Sequence, residues 1–284
     1  MPNLKLTLSE QSVNRLQTLF LFALILAVMV PLPILGTPDS ANAASAKRVE
    51  LGKKNLSLDP NCGRNFVREC TVEGKVTAYQ ALSKKNPGRN FVVPFDGKVV
   101  SWSIKLAKPL TKEVTEGALI HPAESPFFNE LFGSPAQARI AVLRQVEKKK
   151  KGPPRYKMVR QSPVQVLNPY FGTTVQFALS EPLNVYKNNV IALTIPTWAP
   201  IIWKPAICNS AEVKPTGCIQ AERDYTWRGS RAPDKCDISI DRDTGAHSIG
   251  LQKTRPQQKV DSVKRYGCYY GSNVLLYSAT IVGP

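Results

Sequence analysis

The densest positive charge in this sequence is a run of four lysines, followed after a Gly-Pro-Pro turn by two more basic residues. The six residues are Lys148, Lys149, Lys150, Lys151, Arg155 and Lys157. Basic side chains at this density attract anionic polymers and anionic membrane surfaces, by about 1 kcal/mol for each residue close to such a surface. The alternative is a solvated hairpin tip, because charge on an edge hairpin prevents edge-to-edge pairing of strands. The run is a polyanion site only if the other basic residues face the same way.

A second group of residues combines aromatic rings with arginine in a segment that is rich in proline. Its members are Trp198, Trp203, Tyr225, Trp227 and Arg228. Aromatic rings offer apolar faces on which a sugar can stack, and arginine binds carboxylates or phosphates through two parallel hydrogen bonds. The group is therefore a candidate glycan site. The alternative is that the rings cover the core, because large aromatic side chains are mostly buried.

The cysteines form an even set of six. In an exported chain an even set indicates disulfides rather than reactive thiols. Six cysteines allow 15 pairings, among which sequence alone cannot choose. Proximity in the sequence suggests Cys62 with Cys70, Cys208 with Cys218, and Cys236 with Cys268. A zinc site is the alternative, but no two cysteines have the short C-x-x-C spacing of zinc ligands.

Residue patterns that would support catalysis are sparse. The two histidines, His121 and His247, lie outside any hydrolase or metalloprotease motif. Two carboxylates among Glu116, Glu124 and Glu130 would suit glycoside hydrolysis if they lay at the required separation. An exported glycan-acting hydrolase is therefore the alternative to a non-catalytic protein.

An acidic stretch in the last quarter of the chain is a weak candidate for calcium. Asp237, Ser239, Asp241 and Asp243 occupy every second position, which is typical of an oxygen-rich calcium loop. The glycine comes late and no glutamate closes the loop at its twelfth position. We interpret the stretch as an acidic turn that pairs with nearby arginines, and we expect neither a metal nor a cofactor.

The N-terminal 43 residues have the organisation of an export signal. Lys5 and Arg15 precede an apolar segment at residues 16–36, and Ala-Asn-Ala at residues 41–43 offers a cleavage site. An uncleaved N-terminal membrane anchor is the alternative, because the apolar segment is barely long enough to span a bilayer. In both cases the rest of the chain lies outside the cytoplasm, either secreted or on the extracellular face of the cell envelope.

The net charge is strongly positive, with 38 Lys and Arg against 21 Asp and Glu and a formal charge of +17. Most of the excess lies between residues 44 and 160. Outside the cell, such a field favours an anionic cell-wall polymer or a membrane surface over nucleic acid. We therefore expect no nucleic-acid partner.

Alternating hydrophobic residues predict an all-β fold. Residues 98–106 place Val100, Trp102, Ile104 and Leu106 on one face of a strand. Strand patterns of similar length recur at residues 74–82, 139–146, 156–167, 173–179, 189–195 and 272–282. Pro163 interrupts the third of these and predicts an edge strand, a bulge or two short strands. Strands at this spacing favour an antiparallel β-sandwich or jelly-roll-like domain.

The strand pattern also suggests how the chain is divided. We expect a linker at residues 44–57 and a single β-sandwich domain at residues 58–284, with long loop insertions at residues 111–137 and 196–258. In the first insertion, Ser125 as N-cap and Gly133 as stop predict a short helix. Long insertions on a β scaffold are where binding residues are often found.

Three stretches of the chain resemble a group of uncharacterised exported proteins from actinobacteria. They read FFNELFGSPAQARIAVLR, LNPYFGTTVQFALSEPLNVYKNNVIALTIPTWAP and SVKRYGCYYGSNVLLYSATIV. The resemblance covers most of residues 60–284 and includes Cys268. It implies a secreted β-sandwich in a Gram-positive envelope, and it implies no activity, ligand or catalytic residue.

These observations favour one hypothesis. The protein is expected to be an exported, disulfide-stabilised and non-catalytic module of the cell envelope, with a binding or structural role. Its basic first half would contact an anionic wall polymer or a membrane surface, and its aromatic group would contact a glycan.

Overall fold

Antiparallel strands make up most of the regular structure in a computed structural model of the chain. The structure describes residues 46–60, 70–72, 74–81, 91–110, 112, 114–116, 119–121, 124–147, 152–204, 226–233, 236, 257–271 and 273–284. All of them belong to the unit of the chain that spans residues 44–284. The expected signal segment at residues 1–43 lies outside the described residues.

The described elements are eighteen strands, one α-helix and two short 3-10 turns. The strands are β1 (Arg48–Leu51), β2 (Thr71–Val72), β3 (Val76–Gln80), β4 (Gly97–Lys105), β5 (Val114–Glu116), β6 (Leu119–His121), β7 (Gln137–Glu147), β8 (Arg155–Gln161), β9 (Gln165–Val166), β10 (Thr174–Val185), β11 (Val190–Ile195), β12 (Ala199–Pro200), β13 (Ile202–Trp203), β14 (Thr226–Gly229), β15 (Val263–Arg265), β16 (Cys268–Gly271), β17 (Val274–Leu275) and β18 (Tyr277–Val282). The helix is α1 (Glu124–Phe132), and the 3-10 turns are Lys53–Asn55 and Asn168–Tyr170.

Two antiparallel sheets form the fold. The first has the strand order β1-β18-β4-β10, and the second has the order β15-β8-β7-β11-β3-β14-β16, with β9 paired to β7. Three further two-stranded pairs are formed by β12 with β2, β13 with β17 and β5 with β6. The prediction of an all-β, sandwich-like fold is confirmed.

A large apolar core unites side chains from the two sheets. Trp102 and Ile104 of the first sheet belong to the same buried cluster as Ile140, Val142 and Leu193 of the second. All five side chains are fully buried. Because burial of a large apolar side chain stabilises the fold by about 1.5–3 kcal/mol, this cluster is the main source of stability.

The second sheet curls strongly enough to enclose a core of its own. Tyr79 on β3 and Tyr156 on β8 have two strands between them, so a flat sheet would separate them by roughly 14 Å. Their ring centroids are instead 5.3 Å apart. The Tyr266 ring lies 5.4 Å from that of Tyr79 and 5.3 Å from that of Tyr156. The curl brings these rings together, so the central strands of the sheet are buried on both faces.

Gln258 crosses the mouth of this curled sheet. Its side-chain NH2 donates to the Tyr156 carbonyl at 2.8 Å, and its side-chain oxygen accepts a hydrogen bond from the Tyr266 hydroxyl at 2.8 Å. The Gln258 backbone NH donates to Thr77 Oγ1 at 3.0 Å. One buried glutamine therefore links β3 and β8 on the two sides of the curled sheet.

The strand register corrects one detail of the predicted alternation. Ser101 lies opposite Thr280 and Val99 lies opposite Ile281, so Val100 is an extra residue in β4. This bulge turns Val99 into the core, where it is fully buried. Val100 was expected there, and that expectation was wrong because a bulge shifts the two-residue period.

The proline in the third strand pattern divides it into two strands, as one of the predicted alternatives required. β8 ends at Gln161 and β9 begins at Gln165, with Pro163 between them. β8 is not an edge strand, because it pairs with β7 on one side and with β15 on the other. Proline cannot donate a backbone hydrogen bond, so it ends the pairing of β8 at this point.

Two segments expected outside the sandwich contribute strands to it. β1 lies within the expected linker at residues 44–57 and pairs with β18. β14 lies within the expected loop insertion at residues 196–258 and pairs with both β3 and β16. Short strands such as these carry too few residues to show a two-residue period in the sequence.

The helix of the first insertion is present, and its start differs from the prediction. α1 begins at Glu124, so Ser125 lies inside its first turn, and the buried Ser125 hydroxyl has no hydrogen-bond partner among the described residues. Ser125 is therefore not the N-cap. Gly133 follows the last helical residue at φ 96°, as expected for a helix stop. Among the described residues no helix has the length and hydrophobicity needed to cross a bilayer.

Candidate functional site

Four basic residues lie on one face of three neighbouring strands. In the register of the second sheet, Arg144 of β7 lies opposite Lys157 of β8, and Arg155 of β8 lies opposite Arg265 of β15. Directly opposite residues in antiparallel strands point to the same face, with Cβ atoms about 5 Å apart. We call Arg144, Arg155, Lys157 and Arg265 the basic strand face.

The alternation of buried and exposed residues explains why these cations share a face. Tyr156 and Met158 of β8 are buried in the core that contains the Tyr79, Tyr156 and Tyr266 rings, which we call the tyrosine core. The alternating residues Arg155 and Lys157 therefore point to the opposite side of the sheet. In β15 the side chain of Arg265 is exposed, whereas that of Lys264 is half-buried on the tyrosine side. Burial lowers the pKa of the Lys264 ammonium. The buried residues that alternate with these cations therefore turn the cations to the opposite face of the sheet.

Asp261 partly neutralises the basic strand face. Its carboxylate lies 2.9 Å from Lys157 Nζ, and the turn that carries it is fixed by a hydrogen bond from its backbone NH to the Met158 carbonyl at 2.8 Å. The hydrogen bond and the charge of Lys157 hold the pKa of the Asp261 carboxyl below its ordinary value. The Glu147 backbone lies opposite Arg155, and its side chain is outside the described residues.

The spacing of the cations on the basic strand face suits a polymer with repeating anionic groups. The side chains of Arg144 and Arg265 form no hydrogen bond or ion pair with any residue that the structure describes. Successive residues on one face of a strand are roughly 7 Å apart, and arginine can hold a phosphate or carboxylate through two hydrogen bonds. Like charges on opposite strands repel each other, so an anion bound across them would relieve that repulsion.

The lysine run belongs to the connection at the end of the same two strands. β7 and β8 form an antiparallel hairpin, which confirms the predicted strands on either side of the run. Lys148, Lys149, Lys150 and Lys151 lie outside the described residues. Their place in the sequence, directly after β7, attaches them to the strands that carry Arg144 and Arg155.

Trp198 is a core residue. It is fully buried, its ring stacks on Phe128 with 5.1 Å between centroids, and its Nε1 donates to Asn129 Oδ1 at 3.0 Å. A ring enclosed in this way has no free face for a sugar. It anchors α1 to the sandwich instead.

Trp227 is also buried, and Arg228 contacts two nearby tyrosines. The Trp227 ring stacks on Tyr270 with 3.9 Å between centroids and retains 4% of its accessible surface. Arg228 donates to the Tyr266 carbonyl at 3.3 Å, and its guanidinium lies 5.0 Å from the centre of the Tyr269 ring. Trp203 is half-buried in β13, and Tyr225 lies outside the described residues. The structure does not bring the described members of the aromatic group together on one exposed surface.

One disulfide joins the pair that sequence proximity suggested in the last third of the chain. Cys236 and Cys268 are bonded, with their Cα atoms 5.1 Å apart. Cys70 also forms a disulfide, with a partner outside the described residues. The other three cysteines, Cys62, Cys208 and Cys218, lie outside them as well. The described cysteines include no free thiol.

The carboxylates considered for hydrolysis do not form a described site. Glu130 is exposed on α1. Glu116, Glu124 and His121 are described by their backbone alone, whereas His247 and the acidic stretch with Asp237, Asp241 and Asp243 lie outside the described residues. Within the described ranges no group of three or more His, Cys, Asp or Glu residues is placed to hold a metal.

Two members of the basic strand face were missed by sequence reasoning. Arg144 lies between Val142 and Val146 in a two-residue alternation, so it could have been assigned to the same face of β7 as these two valines. Arg265 lies on this face only because β15 pairs with β8, which is about a hundred residues earlier in the chain. A local sequence pattern cannot predict such a distant pairing.

Comparisons with other proteins assign neither a family nor a function to the chain. No protein-family model matches the chain, and no curated protein or solved structure is significantly similar to it. A functional interpretation therefore depends on the geometry of the residues themselves.

Proposed function

We propose that this protein is an exported, non-catalytic module of the cell envelope that binds an anionic wall polymer through the basic strand face. The observation that carries the proposal is the strand register, which aligns Arg144 with Lys157 and Arg155 with Arg265 on one face. The adjoining lysine run would extend this surface at the end of the β7–β8 hairpin.

The arrangement of these residues in rows along neighbouring strands favours binding over catalysis. Hydrolysis needs an acid and a base that converge on one substrate bond. The basic strand face carries cations in rows on extended strands instead. A row of this kind binds a repeating polyanion through many weak contacts, each of them screened by salt.

The expected location outside the cytoplasm has independent support. Disulfides such as Cys236–Cys268 form and persist mainly in oxidising compartments. The N-terminal 43 residues have the charge and hydrophobicity of an export signal. An actinobacterial envelope is the setting that the sequence resemblance implies, and it is part of this proposal.

A polymer suits the basic strand face better than a lipid surface does. Among the described residues, the large apolar side chains exposed near these cations are those of Val146, Val260 and Val263, with 38%, 40% and 41% of their surface accessible. Short side chains such as valine insert weakly into a bilayer, and surface-bound proteins commonly use larger residues for this purpose. A glycan partner is not included, because the Trp198 and Trp227 rings are buried.

The test is co-sedimentation of the purified protein over a salt series with three materials. These are actinobacterial cell wall, the same wall after its anionic polymer has been extracted, and vesicles of anionic phospholipid. We expect salt-sensitive binding to the intact wall and a large loss of binding to the extracted wall. Equal binding to the two walls contradicts the proposal, and binding to vesicles alone would assign the surface to the membrane.

A variant with Lys148, Lys149, Lys150 and Lys151 all changed to serine tests the contribution of the hairpin. At about 1 kcal/mol for each cation near an anionic surface, we expect its wall binding at low salt to be weaker by up to about a thousandfold. Binding as strong as that of the unmodified protein would remove the run from the surface.

A further inference from the structure

One end of the curled sheet carries a row of polar residues on its tyrosine side. Arg139 of β7 lies opposite Thr194 of β11, and Thr194 lies opposite Thr77 of β3. The two threonine hydroxyls are hydrogen-bonded at 3.0 Å, which fixes both side chains on this face. Arg139 therefore stands at the end of a polar row in which no other described member is charged.

Two glutamines approach the same end of the sheet. Gln161 lies opposite Ala141, which is two residues from Arg139 in β7, so Gln161 and Arg139 are diagonal neighbours on one face. Diagonal pairs of this kind are within reach of long side chains. Gln257 precedes Gln258, whose backbone NH donates to Thr77 Oγ1 at 3.0 Å. Gln161 is therefore a neighbour of Arg139 in the sheet, and Gln257 adjoins the residue that contacts Thr77 at the other end of the polar row.

Each of these three side chains has a buried polar atom without a hydrogen bond. The atoms are Arg139 Nε, Gln161 Oε1 and Gln257 Oε1, and none has a partner within the described part of the chain. Buried polar atoms are almost always hydrogen-bonded, so three orphans on residues that border one polar row call for an explanation. Water could satisfy the two amide oxygens, but it would leave the guanidinium charge without an anion.

The charge of Arg139 is not compensated by the described residues. Arg139 is partly buried, and no ion pair or hydrogen bond to another described residue is formed by its side chain. Removal from water lowers the pKa of its guanidinium. A cation that has lost part of its hydration gains most from an anion that replaces the water.

We propose that Arg139, Gln161 and Gln257 bind a small anion that also carries hydroxyl groups. The Arg139 Nε–H would donate to an oxygen of the anion, and the two amide oxygens would accept hydrogen bonds from the hydroxyls. This combination of groups occurs in sugar acids, which carry a carboxylate, and in polyol phosphates. Both share the chemistry of a hydroxylated anion.

The site is separate from the basic strand face. Arg155 and Gln161 lie at opposite ends of β8, about 20 Å apart at 3.3 Å per residue. Arg155 shares a face with Arg265, whereas Gln161 shares a face with Ala141 of the tyrosine core. The inference therefore does not depend on the proposed wall binding, and either can fail alone.

The test is titration calorimetry of the full chain with two hydroxylated anions, glucuronate and glycerol 3-phosphate. The comparators lack hydroxyl groups on carbon: acetate is matched to glucuronate, and inorganic phosphate is matched to glycerol 3-phosphate. We expect one or both hydroxylated anions to bind at least tenfold more tightly than the matching comparator, and the preferred anion identifies the ligand class. Absence of binding, or equal binding of the comparators, would overturn the proposal.

Two variants tie the binding to these residues. Arg139→Gln removes the charge and should weaken binding at least tenfold. Gln161→Glu supplies an internal anion for Arg139, so it should abolish binding while raising the melting temperature, which an unfolding effect would not do. Gln176→Glu makes the same change on β10 of the first sheet and should alter neither property. Unchanged binding in Arg139→Gln, or a lower melting temperature in Gln161→Glu, would contradict the assignment.

Discussion

Asp261 holds the ammonium of Lys157 at 2.9 Å beside the basic strand face, so the protein masks part of its own candidate binding surface. Both residues are at the surface, with 77% of the Asp261 side chain and 30% of the Lys157 side chain accessible. An ion pair this exposed contributes little to stability. In the proposed binding mode, its larger effect is on how Lys157 is presented to the polymer.

Removing the carboxylate of Asp261 should strengthen polyanion binding. Asp261→Asn frees Lys157 and is expected to increase affinity by a factor of about 1.5 to 5 at low salt, since an exposed ion pair holds its cation only weakly. Asp59→Asn is the matched control, because it frees Lys105 of the first sheet from a similar exposed pair with the same change in net charge. Equal gains in both variants would show that total charge, rather than this surface, determines binding.

The same pair should appear in the titration of Asp261. Lys157 lowers the pKa of this carboxyl below its ordinary value of 3.8, and Lys157→Gln should return it towards that value in an NMR titration of the carboxyl carbon. Because the folded pKa is the lower one, the stabilisation is present above pH 3.8 and is lost as the pH falls through the folded value. An unchanged Asp261 pKa in Lys157→Gln would show that the pair does not form in solution.

The tyrosine core should depend on the hydroxyl of Tyr266. Tyr266→Phe leaves the buried Gln258 oxygen without its 2.8 Å hydrogen bond, at an expected cost of about 1–3 kcal/mol in the free energy of unfolding. Tyr186→Phe is the control, because Tyr186 is 58% exposed. Urea denaturation measures both variants, and equal stabilities would mean that Gln258 does not close the curled sheet.

Alkaline pH should unfold the protein as the buried tyrosines ionise. Burial, the largest cause, raises the pKa of Tyr79, Tyr156, Tyr266 and Tyr277 above the ordinary 10.0. A raised folded pKa means that the stabilisation is complete below pH 10 and declines as the pH rises above it. Tyrosinate absorbance should therefore show these rings ionising together with the loss of circular dichroism. Their ionisation in a folded protein would contradict the burial.

Loss of the Cys236–Cys268 disulfide should destabilise the protein substantially. The bond closes a loop with a sequence separation of 32, for which chain entropy gives about 3–4 kcal/mol. A Cys236→Ser/Cys268→Ser variant should show this loss in urea denaturation. A change below about 1 kcal/mol would mean that residues 236–268 are already restrained in the unfolded chain.

The sequence was most informative where regular elements are long. The alternation of residues 98–106 correctly placed Trp102 and Ile104 in the core, and Gly133 marked the end of α1. These features depend on neighbours within a few residues, which a sequence displays directly. The Val100 bulge was missed because a single extra residue reverses the alternation without changing its composition.

Features that depend on distant pairing were not predictable in the same way. β14 looks like part of a loop until β3 and β16 are seen on either side of it. Trp198 and Trp227 are of a residue type that is common in sugar sites. Only their contacts with Phe128 and Tyr270 show that they are core residues. The basic strand face likewise exists only through the pairing of β15 with β8.

The most direct test of the central claim compares two double variants in binding to isolated anionic wall polymer at low salt. Arg144→Gln/Arg265→Gln removes two cations of the basic strand face. Arg48→Gln/Lys98→Gln removes two exposed cations that lie on either side of Val282 in the first sheet, with the same change in net charge.

At about 1 kcal/mol for each cation, the first variant should bind about thirtyfold more weakly than the unmodified protein, and the second should bind within about twofold of it. Equal weakening of both variants, or none in the first, would contradict the assignment of polymer binding to the basic strand face.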